Sequence, residues 1–130
     1  MQGERSIQSI LIVEDSATTR ALIRAVIEEM GDFNTVEAGS GFEALKLLPT
    51  QEFNLVITDI NMPDINGLEL INFIKNNPRY SHLPLIIVST EKSEEDKKKG
   101  MALGAMSYIT KPFKAQELQE AIKQAMYEGF

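Results

Sequence analysis

The sequence predicts an α/β fold: a parallel sheet of five strands with five helices. Two observations lead there. Apolar runs too short to be helices, among them Ile10–Val13, Leu55–Thr58 and Leu85–Val88, alternate with longer segments of helical period, the signature of βαβ units. Four of the runs also end on polar chemistry, with Glu14 and Asp15 after the first, Asp59 after the third, Ser89 after the fourth and Lys111 after Met106–Thr110. In a parallel sheet those four ends share one edge, and open parallel sheets bind their ligands outside the carboxyl ends of the strands.

Each element has its own justification. Ile10–Val13 reads as a buried strand. The helix after it starts at Ser16, a good N-cap, carries Ala21, Leu22, Ala25, Val26 and Ile27 on one face, and stops at Gly31. Phe33–Ala38 is the second strand and is more polar than a central strand. Ser40 and Glu43 form a capping-box pattern for the second helix, which Pro49 ends. Phe53–Asp59 is the third strand. Pro63–Gly67 is a loop, followed by a helix with Leu68, Leu70, Ile71, Phe73 and Ile74 that closes at Asn77-Pro78. After the fourth strand, Ser93 and Asp96 pair as a cap for a very polar helix ending near Gly104. Met106–Thr110 is the fifth strand, and the last helix, about Lys114 to Tyr127, repeats Leu118, Ile122 and Met126 at spacing four.

At 130 residues the chain is expected to be a single domain, 1–130, with its core over about 8–127. That size buries roughly two-thirds of the unfolded surface. With 43% hydrophobic and 25% charged residues the composition is that of an ordinary globule. No apolar run approaches the roughly 20 residues that span a bilayer, so no membrane segment is expected. Met1–Ser9 lacks an apolar signal region and cysteine is absent, which leaves a cytoplasmic location as the expectation. A net charge of -6 argues against nucleic acid, with Lys97, Lys98 and Lys99 the sole dense basic run.

The three carboxylates are the strongest chemical signal, because a hard divalent ion such as magnesium takes a few carboxylate oxygens and keeps water or phosphate in its remaining positions. Without a cation, Glu14, Asp15 and Asp59 at one edge would raise one another's pKa, so an ion or the Lys111 ammonium is needed to offset them. Glu14-Asp15 is equally what a solvated turn before a helix contains. Asp59 fits that bland reading less well, since a carboxylate after a continuous buried strand is badly placed unless paired. It is the nucleophile candidate: a carboxylate attacks phosphorus to form an acyl phosphate when a cation screens the approaching charges. Ser89 and Lys111 then offer a hydroxyl and an ammonium for the phosphoryl oxygens. Singly, each also reads as a loop hydroxyl and a surface lysine. Pro112 fixes the turn after Lys111, and the Lys111–Pro112 bond is a candidate cis peptide.

Taken together these residues resemble a response-regulator receiver domain of the stand-alone, CheY-like type over essentially the whole chain. The matching motifs are Ile12-Val13-Glu14-Asp15-Ser16, Thr58-Asp59-Ile60-Asn61-Met62-Pro63 with Gly67, Val88-Ser89-Thr90-Glu91, and Tyr108-Ile109-Thr110-Lys111-Pro112-Phe113. The resemblance implies a doubly wound, flavodoxin-like sheet of order 2-1-3-4-5. It implies Asp59 as phosphoacceptor and Mg2+ held by Glu14, Asp15, Asp59 and the backbone carbonyl of Asn61, with Asp15 the more direct of the acidic pair. It also makes Lys111 the phosphate-pairing amine, Ser89 the switch hydroxyl and Tyr108 the switch aromatic. By itself Tyr108 reads as a residue with one apolar face and a wet hydroxyl. Side chains at Asn61 and Glu91 would set the lifetime of the acyl phosphate. Two departures stand out: Glu14 where Asp is commoner, an arm long enough to interpose a water, and Ser89 where Thr is frequent, with Thr90 a competing hydroxyl beside it.

The implied function is a two-component switch that takes its phosphoryl group from a histidine kinase or phosphotransfer protein. It is a phosphoacceptor, not an enzyme acting on outside substrates. Phosphoryl on Asp59 would draw in Ser89, let Tyr108 rotate inward, and remake the face of the fourth helix, fifth strand and fifth helix, where Gly100, Met101, Ala102 and Tyr108 meet a partner protein. Met101 and Met106 also read as plain core. Chemotaxis is one pathway open to a stand-alone form, and a monomer or weak dimer is expected.

Rival readings exist. Gly39-Ser40-Gly41-Phe42-Glu43-Ala44 fits a dinucleotide fingerprint, yet capping explains Ser40 and Glu43, and a glutamate beside pyrophosphate is repelled. A flavin-binding domain gives no reason for the acids and Lys111. A magnesium phosphohydrolase working through an aspartyl phosphate would use the same chemistry, but typically carries a general-acid carboxylate where Asn61 stands.

Overall fold

Residues 7–90 and 93–128 are described by a computed structural model of the chain. The elements are β1 (Gln8–Val13), α1 (Ala17–Glu28), β2 (Phe33–Ala38), α2 (Gly41–Leu47) with a 3-10 turn at Leu48–Thr50, β3 (Leu55–Thr58), α3 (Gly67–Lys75), β4 (Leu85–Ser89), α4 (Glu94–Leu103), β5 (Ser107–Thr110) and α5 (Ala115–Lys123), which runs into a π-helical turn at Gln124–Glu128. All strand pairs are parallel and the order is β2-β1-β3-β4-β5, as expected.

The central strands are apolar without alternation because both their faces are covered. Every residue of β3 and β4 is buried. On one face Ile10, Ile12, Ile57, Ile86 and Val88 pack with Ile23, Val26 and Ile27 of α1 and Leu118 and Ile122 of α5. On the other, Leu11, Val13, Val56, Leu85 and Ile87 pack with Ala44 of α2 and Leu70, Ile71 and Ile74 of α3. Each such Leu or Ile contributes about 1.5–3 kcal/mol by leaving water. The polar β2 lies at the sheet edge, where burial demands less of it.

Several expectations need correcting. The inward stripe of α1 is Ile23, Val26 and Ile27, while Ala21, Leu22 and Ala25 are exposed. A run of apolar residues on consecutive positions leaves the register of a 3.6-residue repeat ambiguous, and packing against β1 and β2 decides it. Phe73 also faces outward. Met101 and Met106 are 42% and 41% exposed, so the plain-core reading fails for both, whereas Gly100, expected on the partner face, is the one buried residue of α4. The first helix ends at Glu28 with Glu29 as C-cap, before Gly31, whose φ of 138° turns the chain into β2. Ser40 does accept from the Glu43 N–H, but the Glu43 carboxylate accepts from Gly39 N–H instead of closing the box on Ser40. A complete capping box stands at Asn66 and Glu69, opening α3.

Candidate functional site

The sheet's hydrogen-bond ladder runs straight into the polar residues at its carboxyl edge. Glu14 N–H donates to the Ala38 carbonyl and Asp59 N–H to the Val13 carbonyl, each at 3.0 Å, and Lys111 N–H to the Ser89 carbonyl at 2.8 Å. The backbones of Glu14, Asp59, Ser89 and Lys111 are thereby fixed by the core strands and not by mobile loop. Gly67 adds a further tie: its N–H donates to the Ile60 carbonyl at 2.8 Å, and a Cβ there would land on the Asp59 carbonyl. Only glycine lets the start of α3 press this closely on the end of β3.

Among the described residues, three carboxylates and one ammonium meet at this edge. Lys111 Nζ lies 2.6 Å from Glu14 Oε1 and 3.2 Å from Asp59 Oδ2. One carboxylate oxygen from each of Glu14, Asp15 and Asp59 lies within 4.8 Å of the other two. Glu14 and Asp59 are buried, at 2% and 6% exposure, while Asp15 opens to solvent. The second Glu14 oxygen accepts from Ser16 N–H at 3.0 Å. Asp59 Oδ1 accepts from the amides of Ile60, at 2.7 Å, and Asn61, at 3.3 Å, which leaves Oδ2 toward Lys111.

Burial pushes the Glu14 carboxyl above its ordinary value, with the Asp59 charge adding to the push; Lys111 and the Ser16 amide oppose it without cancelling it. Burial alone would pull Lys111 down, yet the hydrogen bond it donates to Glu14 and the charges of Asp59 and Glu14 raise it above the usual lysine value. Both shifts are upward because two carboxylates share one ammonium: together they favour the charged Lys111, while the single ammonium does not offset the burial of Glu14. A second positive charge would relieve them. Three hard oxygen donors around one point suit a small divalent cation.

Ser89 is fully buried and the neighbouring Thr90 is exposed, so of the two hydroxyl residues only Ser89 is turned into the fold. Tyr108 is half-buried on β5, in register with Ile87, and packs against the α3 side of the sheet. Asn61 is exposed and supplies its backbone N–H to Asp59. Glu91 lies outside the described residues. The Lys111–Pro112 peptide is cis.

Two contributors were not found from sequence. Arg20, on α1, donates through Nη1 to the Glu14 carbonyl at 2.6 Å and through Nε to Glu37 Oε1 at 3.0 Å, bracing the acidic turn against β2. Its position one helical turn beyond the cap Ser16 was the available signal. Asp64 in the β3–α3 loop accepts from the amides of Gly41 and Phe42, and nothing in the sequence links positions more than twenty residues apart.

The model of the response regulator receiver domain matches residues 10–123. The chemotaxis protein CheY of Pseudomonas aeruginosa is 36% identical over 115 residues, covering 88% of this chain and 93% of that protein. A CheY-like receiver domain protein from Methanospirillum hungatei superposes with a TM-score of 0.87 at 29% identity over 95% of this chain and 97% of that one. The Mn2+-bound form of the response regulator Rcp1 superposes with a TM-score of 0.81 at 25% identity, over 92% and 95% of the two chains.

Proposed function

This chain belongs to the response regulator receiver domains, and from that premise we propose that it is a phosphorylation-dependent switch of a two-component system, accepting a phosphoryl group on Asp59 from a histidine kinase or phosphotransfer protein. The observation that carries this reading is the state of Asp59: a buried carboxylate at a strand end, one oxygen fixed by two backbone amides and the other facing the Lys111 ammonium.

Asp59 Oδ2 is the attacking atom, since the Ile60 and Asn61 amides hold Oδ1 and so orient the carboxylate. Its lone pair forms the new O–P bond as the donor's P–N bond breaks, and the departing imidazole nitrogen keeps that pair. Lys111, freed from the carboxylate it now holds, pairs with the phosphoryl oxygens as their charge builds. Glu14, Asp15 and Asp59, with the backbone carbonyl of Asn61, are the groups to hold Mg2+; the three clustered hard-oxygen donors fit such an ion, and a receiver of similar fold takes Mn2+. When bound, the ion neutralises the carboxylates and the transferring phosphoryl group.

Ser89 and Tyr108 carry the signal outward. Ser89 lies at the end of β4, between the strands that bear Asp59 and Lys111, and its hydroxyl is buried among them. The fourth helix buries only Gly100 and half-buries Leu103, so repacking it sacrifices little apolar contact. Tyr108 moving inward would remake the α4-β5-α5 face, where exposed Met101 meets a downstream protein. The relatives' chemotaxis role makes chemotaxis the pathway we favour. Residues 1–130 act as one receiver unit in the cytoplasm, as a monomer or weak dimer. No helix among the described residues is long and apolar enough to cross a membrane. The chain's catalysis is confined to its own phosphorylation and dephosphorylation, with the side chains of Asn61 and Glu91 tuning the second.

Beryllofluoride with Mg2+, read by amide NMR, tests the switch. Shifts across residues 89 to 113 that vanish in Asp59→Asn are expected; unchanged spectra in the native chain overturn the reading.

A further inference from the structure

The loop from Ile60 to Asn66 carries the Asn61 carbonyl assigned to the metal and both amides that orient Asp59. Its two ends are held by the Gly67 tie to Ile60 and by the capping box at Asn66. Its far side is held by Asp64. The Asp64 carboxylate accepts through Oδ1 from Gly41 N–H at 3.0 Å and through Oδ2 from Phe42 N–H at 2.9 Å, so both oxygens bind adjacent amides in the first turn of α2. Two bonds fix a carboxylate's rotation as well as its position. Steric fit repeats the tie independently: Gly41 is buried, and a Cβ on it would lie 2.8 Å from both Cβ and the carbonyl oxygen of Ile65. The two elements are thus clamped over residues 64–65 by a bidentate hydrogen bond and a glycine contact.

We propose that Asp64 is a positioning residue for the metal and phosphoryl site: by clamping the β3–α3 loop to the start of α2 it sets where the Asn61 backbone stands relative to Asp59. Asp64 touches neither the ion nor the phosphoryl group. It acts through the two residues, Met62 and Pro63, that separate it from Asn61. Its pKa, lowered to about 2 chiefly by the Phe42 amide, agrees with a carboxylate that works as a charged acceptor. The inference rests on the receiver reading given above, and extends it to a residue on the opposite side of the loop from Lys111.

Isothermal titration of Mg2+ into the native chain, Asp64→Ala and Asp64→Asn tests it, with Glu52→Gln as a control. Glu52 is exposed ahead of β3, at the far edge of the sheet, so that variant removes one negative charge and no clamp. Removing a group that holds a metal ligand directly costs roughly 10- to 100-fold in affinity; acting one step further out, Asp64→Ala is expected to cost about three- to tenfold. Asp64→Asn keeps one acceptor oxygen and should fall between it and the native chain, while Glu52→Gln stays within about twofold. In amide NMR, Mg2+ should shift Gly41 and Phe42 of the native chain and leave them still in Asp64→Ala. Native-like affinity in both Asp64 variants overturns the clamp while leaving the receiver reading intact. A loss in Glu52→Gln equal to that in Asp64→Ala also overturns it, since charge alone then suffices. A native chain that binds no Mg2+ overturns clamp and receiver reading together.

Discussion

Replacing Lys111 by Met keeps most of the side chain's apolar stem and removes the one ammonium that Glu14 and Asp59 share. Both lost contacts are short, 2.6 Å and 3.2 Å, and both carboxylates are nearly buried, with side-chain exposures of 3% and 7%. Removing one partner of a buried ion pair costs about 3–5 kcal/mol, because an uncompensated charge stays behind. Here the lower end applies. Lys111 itself is 15% exposed, so water reaches the site, and Glu14, already raised in pKa by burial, escapes part of the penalty by taking a proton. A loss of about 3 kcal/mol corresponds to roughly 10 °C in Tm for a domain of this size. Magnesium should reverse it: an ion at about 100 times its Kd adds about 2.7 kcal/mol, and it binds the variant more tightly because no ammonium competes. Urea unfolding at pH 8, with EDTA and with Mg2+, reads both effects, and Lys98→Met on the exposed side of α4 serves as control. A loss below about 1 kcal/mol in EDTA, equal to that of the control, or a gap that magnesium leaves unchanged, would refute the charge balance inferred for this edge.

Glu14 binds its proton more tightly folded than unfolded, so native stability should fall as pH rises from the ordinary carboxylate value of 4.5 through the higher folded one; Glu14→Gln, followed by urea midpoints across that window, should flatten the fall. Asp64 has the opposite sign: its folded pKa of about 2 lies below the ordinary aspartate value of 3.8, so its contribution is full above 3.8 and lost as pH falls through 2, and Asp64→Asn should lose less stability than the native chain over that range. Gly67→Ala sets a methyl against the Asp59 backbone and should destabilise by about 1–3 kcal/mol or more, with loss of Mg2+ binding in calorimetry. Gly100→Ala meets side chains and no backbone, Ile87 Cδ1 at 2.5 Å with Tyr108 and Leu68 at 3.7 and 3.8 Å, and should cost less and spare Mg2+. Substitutions at Asn61 should change the half-life of the acyl phosphate, followed by loss of label, without moving the phosphorylated residue.

The parts of the fold legible in the sequence are those fixed by burial on both faces. Strands β1, β3 and β4 are built on the apolar runs Ile10–Val13, Leu55–Ile57 and Leu85–Val88, and the polar residues that end them mark Glu14, Asp59 and Ser89. Helix faces were less legible: Leu22 and Ile23 are chemically equivalent neighbours, and only the packing of α1 on the sheet tells that Ile23 is buried and Leu22 is 53% exposed. The same holds for Phe73 and for Met101, whose apolar character predicted burial that the thin attachment of α4 does not provide. Within the site, residues that act by side-chain chemistry at strand ends were identifiable, because period and residue type both signal them. Residues that act by bracing, Arg20 and Asp64, were not. Apart from the Glu37 carboxylate that Arg20 also meets, their partners are backbone groups, the Glu14 carbonyl and the Gly41 and Phe42 amides, which leave no trace in residue type.

The most direct test of Asp59 as phosphoacceptor is the identity of the residue that carries phosphorus after incubation with acetyl phosphate and Mg2+. Peptide mapping by mass spectrometry under acidic conditions, which preserve an acyl phosphate, should place a hydroxylamine-labile phosphoryl group on Asp59 alone. That label should be absent from Asp59→Asn and from native chain treated with EDTA. Label that persists in Asp59→Asn, or that maps to a serine or threonine and survives hydroxylamine, would contradict it.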